Sequence, residues 1–184
     1  MMNKGNSKTP DALEPSLKAL LNQLGIPLDY GIDPWRPAYQ ESDSLVDAGL
    51  DVFERPQQLN RDAFKAWCAM QEAANKENVS LQLISGFRSI VYQAGLIERK
   101  LQKGQHIDDI LKVNAAPGFS EHHTGCALDL TTPGCEPLEE AFEITSAFTW
   151  LNQRAAQFGF VMSYPRNNLQ GFIYEPWHWA FQHQ

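Results

Sequence analysis

Apolar positions recur at helical spacing in several windows, separated by short apolar runs bounded by glycine and proline. Leu17, Leu20, Leu21 and Leu24 share one face of a short helix predicted over residues 15–24 and stopped by Gly25. Residues 60–77 predict a longer helix, in which Ala63, Phe64, Trp67, Cys68 and Met70–Gln71 alternate between core and surface. Ser89 offers an N-cap for a third helix running through Ile97 to Leu101 and ended by Gly104. Residues 106–113 predict another, shorter one. Residues 146–158 turn Phe148, Leu151 and Ala155 inward before Gly159. Between these helices, strands are predicted over residues 81–85, 126–131, 160–164 and 172–179, with a short pair near 45–53.

Residues 26–56 follow neither period. Pro27, Gly31, Pro34 and Pro37 break the pattern, which predicts an irregular wrap anchored by Tyr30, Trp35 and Tyr39. Helices and short strands without regular alternation point to an α+β fold, a small antiparallel sheet with helices packed around it. Residues 1–59 then form a polar tail, a short helix and a wrapping segment. Residues 60–184 form the core of what is a single domain overall.

Composition narrows the function classes. At 184 residues, with 43% apolar and 20% charged positions, the chain can bury an ordinary globular core. A net charge of −7, with no clustered basic stripe, argues against nucleic acid and anionic membranes as partners. No apolar run approaches the ~18 residues of a membrane span, and no apolar run follows Lys4 as a secretory leader requires. The expectation is a cytoplasmic monomer, with the periplasm as the alternative address. Cys68, Cys126 and Cys135 are odd in number and lack CxxC spacing, which favours reduced thiols, while a Cys126–Cys135 bridge stays open.

The chemistry is concentrated after the Pro117-Gly118 turn. Ser120-Glu121-His122-His123-Thr124-Gly125-Cys126-Ala127-Leu128-Asp129 places two histidines and two carboxylates within ten residues, and Glu175-Pro176-Trp177-His178 adds a further pair. Three protein ligands with an open position suit a hydrolytic zinc. His122 on a loop, Asp129 on the following strand and His178 on a neighbouring strand can meet at one point. His123 is a rival to His122, and spacing alone does not choose between them. Glu175 is left as a general base, provided that Pro176 bends the chain enough to re-aim one side chain.

Three blocks carry a resemblance. Ser85-Gly86-Phe87-Arg88-Ser89 with Tyr92-Gln93, then Ser120-Glu121-His122 through Gly125, Ala127 and Asp129, then Glu175-Pro176-Trp177-His178, resemble in order the VanY-type D-alanyl-D-alanine carboxypeptidases. These are zinc peptidases of peptidoglycan on the fold shared with the Hedgehog signalling domain. The resemblance covers roughly residues 60–181. It implies zinc on His122, Asp129 and His178, and so selects His122 over His123. It implies Glu175 as base on the zinc-activated water, Arg88 at the oxyanion or the substrate carboxylate, and Gln93 and Ser120 at the peptide end. The implied activity removes a C-terminal D-amino acid, usually D-alanine, from peptidoglycan stem peptides or muropeptide fragments. An L,D-carboxypeptidase, a dipeptidase, an endopeptidase and a non-catalytic Hedgehog-like zinc module are the alternatives. The run Tyr164–Gly171 departs from relatives in being shorter and lacking their Lys and Thr.

Overall fold

The computed structural model describes residues 13–182, so the tail expected over residues 1–10 lies outside them. In chain order the elements are α1 (Pro15–Gln23), β1 (Leu45–Leu50), β2 (Pro56–Asn60), α2 (Arg61–Lys76), β3 (Gln82–Ser85) and α3 (Ile90–Gln102). They continue with α4 (Ile107–Val113), β4 (Ala127–Thr131), α5 (Ser146–Arg154), β5 (Phe160–Met162) and β6 (His178–Phe181). Short 3₁₀ turns occupy Glu121–Thr124, Glu140–Ile144 and Ala155–Phe158. β1 and β2 form an antiparallel hairpin, and a four-stranded antiparallel sheet runs in the order β3-β4-β6-β5. The α+β class expected from the pattern is the one observed.

Strand β4 is the pivot, because all five of its residues are buried. Its side chains alternate between faces. Leu128 and Leu130 enter the main core with Trp67, Met70, Trp150 and Trp179; each such leucine contributes roughly 1.5–3 kcal/mol through burial. Asp129 points to the opposite face. Strand β6 pairs with β4 in the register Leu128↔Trp179 and Asp129↔His178. Trp179 therefore joins the core, and His178 shares a face with Asp129. A second apolar cluster, with Leu21, Ile26, Tyr30, Ile97, Ile110 and Phe119, packs α1, α3 and α4 beside the sheet.

The helix starts follow the sequence chemistry. Asn60 accepts the Asp62 amide at 3.0 Å at the head of α2, and Ser89 accepts the Tyr92 amide at 3.0 Å at the head of α3. Three expectations need correction. The strand expected over residues 172–179 is confined to β6. Pro176 has no amide to give a ladder, and the chain instead makes a turn in which the His178 amide donates to the Glu175 carbonyl at 3.1 Å. The strand expected over 160–164 ends at Met162, and the helix expected over 146–158 tightens to 3₁₀ geometry after Arg154. The strand pair expected near 45–53 is β1 with β2, joined by a loop that the buried Asp51 organises by accepting the amides of Phe53 and Arg55. No disulfide joins the cysteines. Among the described residues no helix is long and apolar enough to cross a membrane.

Candidate active site

His122 and His123 sit on the 3₁₀ turn Glu121–Thr124. Ser120 caps it, its Oγ accepting the His122 amide at 3.3 Å. Gly125 ends it at φ +67°, where a Cβ would stand 2.7 Å from the Asn60 backbone nitrogen. Only glycine meets both demands. The turn sends the two rings to different partners. His123 accepts the Gly118 amide at Nε2 (3.0 Å) and hydrogen-bonds the Arg88 carbonyl through Nδ1 (2.6 Å), so both of its nitrogens are engaged by backbone.

His122 differs. Its Nδ1 donates to the Gly86 carbonyl at 2.6 Å, and that bond assigns the tautomer and leaves a lone pair on Nε2. This Nε2 is buried without a hydrogen-bond partner, 3.3 Å from Asp129 Oδ2. Two acceptors facing each other at that distance favour a cation between them. His178 completes the arrangement: Nδ1 lies 3.0 Å from Asp129 Oδ1, while Nε2 donates to Glu121 Oε2 at 2.8 Å. One ligand atom from each of His122, Asp129 and His178 lies within 4.8 Å of the other two, and all three residues are buried. A donor set of two imidazoles and a carboxylate fits a zinc-type ion.

The charges agree with that geometry. Burial, with Arg88 adding to it, holds His122 neutral at a pKa of about 4. Burial also opposes charge on His178, but hydrogen bonds to Asp129 and Glu121 outweigh it and push its pKa to about 10. Without metal the ring is an imidazolium between two carboxylates, its Nδ1 proton occupying the place a metal would take. Burial works against the Asp129 carboxylate too, yet His122 and Arg88 hold it well below the ordinary range.

Glu175 precedes the turn into β6, with Oε2 3.9 Å from His178 Nδ1. Burial, reinforced by Asp129, raises its pKa to about 7. Arg88 reaches Asp129 Oδ2 through Nη2 at 2.7 Å, while its Nε is buried and unpartnered. Gln93 is not a surface residue of α3. It is 1% exposed, donates to the Ala115 carbonyl at 2.8 Å and lies 3.5 Å from Arg88 Nη1. Ser120, besides capping the turn, joins Arg88, Gln93, His122, Glu175 and His178 around a cavity of about 360 Å³. All seven residues singled out in the sequence thus line one cavity.

Two neighbours were not given a role by the sequence. Glu121 fixes the tautomer of His178, and Tyr164 lays its ring 4.5 Å from the His178 ring. Glu121 stands inside the ligand-rich stretch, but only the sheet topology reveals which ring it serves. Tyr164 carried no signal beyond being aromatic before a turn.

Two imidazoles and a carboxylate gathered on one face of an antiparallel sheet, with a further carboxylate in the same cavity, define an α+β protein with a candidate metal site. The chain belongs to the VanY D-alanyl-D-alanine carboxypeptidase family, whose model matches residues 56–184. YodJ of Bacillus subtilis (strain 168) is 34% identical over 148 residues, or 76% of this chain and 53% of YodJ, so the chain spans about half the length of that relative. Among solved structures, the LdcB LD-carboxypeptidase aligns with a TM-score of 0.70 at 31% identity, over 79% of this chain and 71% of LdcB. The D,D-dipeptidase VanXYg, in complex with a D-Ala-D-Ala phosphinate analogue, aligns at 0.63 and 25% identity, over 76% and 56%.

Proposed function

We propose that this chain is a zinc-dependent carboxypeptidase that removes a C-terminal D-amino acid, D-alanine in the first instance, from peptidoglycan stem peptides. The observation that carries the reading is the bare, buried Nε2 of His122 facing Asp129 and His178, with Glu175 held near neutral pKa in the same cavity. His122, Asp129 and His178 would hold the ion. Zinc at such a site supplies a Lewis acid for a carbonyl and acidifies water.

The remaining work falls to the chain's own groups. Glu175, with a pKa of about 7, can take a proton from the attacking water and return it to the departing amine at neutral pH. Arg88, which lines the cavity, is placed to receive negative charge developing on the scissile carbonyl or the terminal carboxylate. Gln93 holds Arg88 from behind, and Ser120 borders the peptide end. Glu175 and Arg88 distinguish this arrangement from a purely structural metal module, which needs neither.

One observation favours a second reading of the specificity. LdcB, an LD-carboxypeptidase, aligns at higher TM-score and identity than the D,D-dipeptidase VanXYg. On that reading the chain takes D-alanine from a tetrapeptide stem rather than a pentapeptide. Incubation with tri-, tetra- and pentapeptide stems, with and without chelator, and mass detection of the released residue tests both. Release that persists after metal removal defeats the zinc reading, and so does release that is lost to chelator and fails to return on adding zinc. Release of a dipeptide defeats the carboxypeptidase reading.

A further inference from the structure

The metal-site cavity does not end at its own rim. A second groove of about 540 Å³ runs on between the β1–β2 loop, with Phe53 and Arg55, and helix α3, with Tyr92 and Leu96. Arg88, Lys100, Asn114, Asp129 and Leu138 line both spaces and so mark their junction. Phe53 and Tyr92 present half-exposed aromatic faces along the groove.

The cations along these two spaces are not equivalent. Arg88 is paired with Asp129 at 2.7 Å, and Arg55 with Asp51 at 2.7 Å. Lys100 makes no ion pair among the described residues; its ammonium is held by the neutral side-chain oxygen of Asn114. Burial lowers its pKa, with Glu175 and Arg88 acting on it from across the cavity in opposite directions. A half-buried ammonium without a carboxylate, aimed by an amide into a cleft, is ready for an anion.

The position also says which end of a peptide it meets. Gln93 and Ser120, 1% and 4% exposed, line the metal-site cavity and not the second groove. Lys100 stands where that cavity opens into the second groove. The released residue occupies the closed end of a carboxypeptidase site, and the rest of the peptide leaves through the open one. We propose that Lys100 binds a carboxylate carried on the acyl side of the scissile bond, so that the enzyme prefers acidic stem peptides to amidated ones. The assignment rests on the peptidase reading above.

The test separates the two. The zinc-loaded full chain carrying Glu175→Ala is titrated calorimetrically with two tetrapeptides ending in D-alanine. They are identical except for a free carboxylate or a carboxamide on the side chain of the penultimate residue. The carboxylate peptide is expected to bind about tenfold more tightly, as one charge-assisted hydrogen bond provides. Adding Lys100→Met should erase that difference, and Lys100→Arg should keep most of it. A preference that survives Lys100→Met overturns the proposal. So does an equal weakening of both peptides, which would assign Lys100 to the terminal carboxylate or to holding Asn114. Failure of both peptides to bind a zinc-loaded protein would overturn the peptidase reading and this proposal with it.

Discussion

Glu121 Oε2 accepts a hydrogen bond from His178 Nε2 at 2.8 Å, on the ring edge opposite the one that faces Asp129. The bond leaves Nδ1 as the only atom of His178 able to bind a metal, and a carboxylate behind a ligand ring raises its basicity. Glu121→Gln should therefore weaken zinc by ~10–100-fold with little change in the folded circular dichroism. Competition with a chromogenic chelator measures it. Unchanged affinity would remove Glu121 from the metal's support.

Glu175→Ala should separate metal binding from turnover. The carboxyl lies 3.9 Å from His178 without being one of the three clustered ligand residues. Zinc stoichiometry by elemental analysis should stay near that of the unaltered chain, while kcat falls by ~10²–10⁴-fold, the range expected for a lost general base. Near-normal rates on a stem peptide would rule out the proposed proton route.

The metal-free protein should lose stability as pH rises from 7 to 9. His178 carries a folded pKa of about 10, above the 6.5 of the free ring, so its contribution is complete below about 6.5 and is lost progressively up to about 10, a range that includes this window. His122, lowered to about 4, acts with the opposite sign, but only between about 4 and 6.5. Glu175, raised to about 7, has finished its own loss by then. Zinc displaces the His178 proton, so the loaded protein should show a flatter profile and its zinc affinity should climb with pH over the same interval. Thermal midpoints across pH 6–9.5, with and without zinc, check both statements.

Gly125→Ala should destabilise the fold by at least ~2 kcal/mol, because it combines a left-handed backbone with a collision against main chain. The added Cβ would stand 2.7 Å from the Asn60 nitrogen, at the start of α2, which cannot swing aside as a side-chain tip could. A urea midpoint and a zinc titration should fall together, since the same turn carries His122.

Much of this was legible in the chain because local chemistry and buried pattern agreed. Ser89 stands where a helix cap was expected, and Asp129 interrupts an apolar run that is buried from end to end. The strand expected over 172–179 fails at its start because Phe172 serves a loop: its ring packs 4.8 Å from Tyr164. Helical spacing does not tell whether Gln93 faces solvent, and only the approach of Ala115 shows it to be buried. The ligand chemistry suggested that the strands of Asp129 and His178 are neighbours, but the register that sets the two residues opposite each other could not be read. Strand register across so long an excursion depends on the packing of everything between.

That pairing gives a metal at this site a second consequence, mechanical rather than chemical. Asp129 and His178 are direct partners across adjacent strands, so an ion gripping both, and His122 as well, ties together points more than fifty residues apart in sequence. It would act as a removable cross-link, stabilising the folded chain because only the folded arrangement can bind the ion. A strand slipped by one position would turn either side chain toward the core and leave the ion nothing to hold. Capture of the ion would then certify that the sheet has zipped correctly.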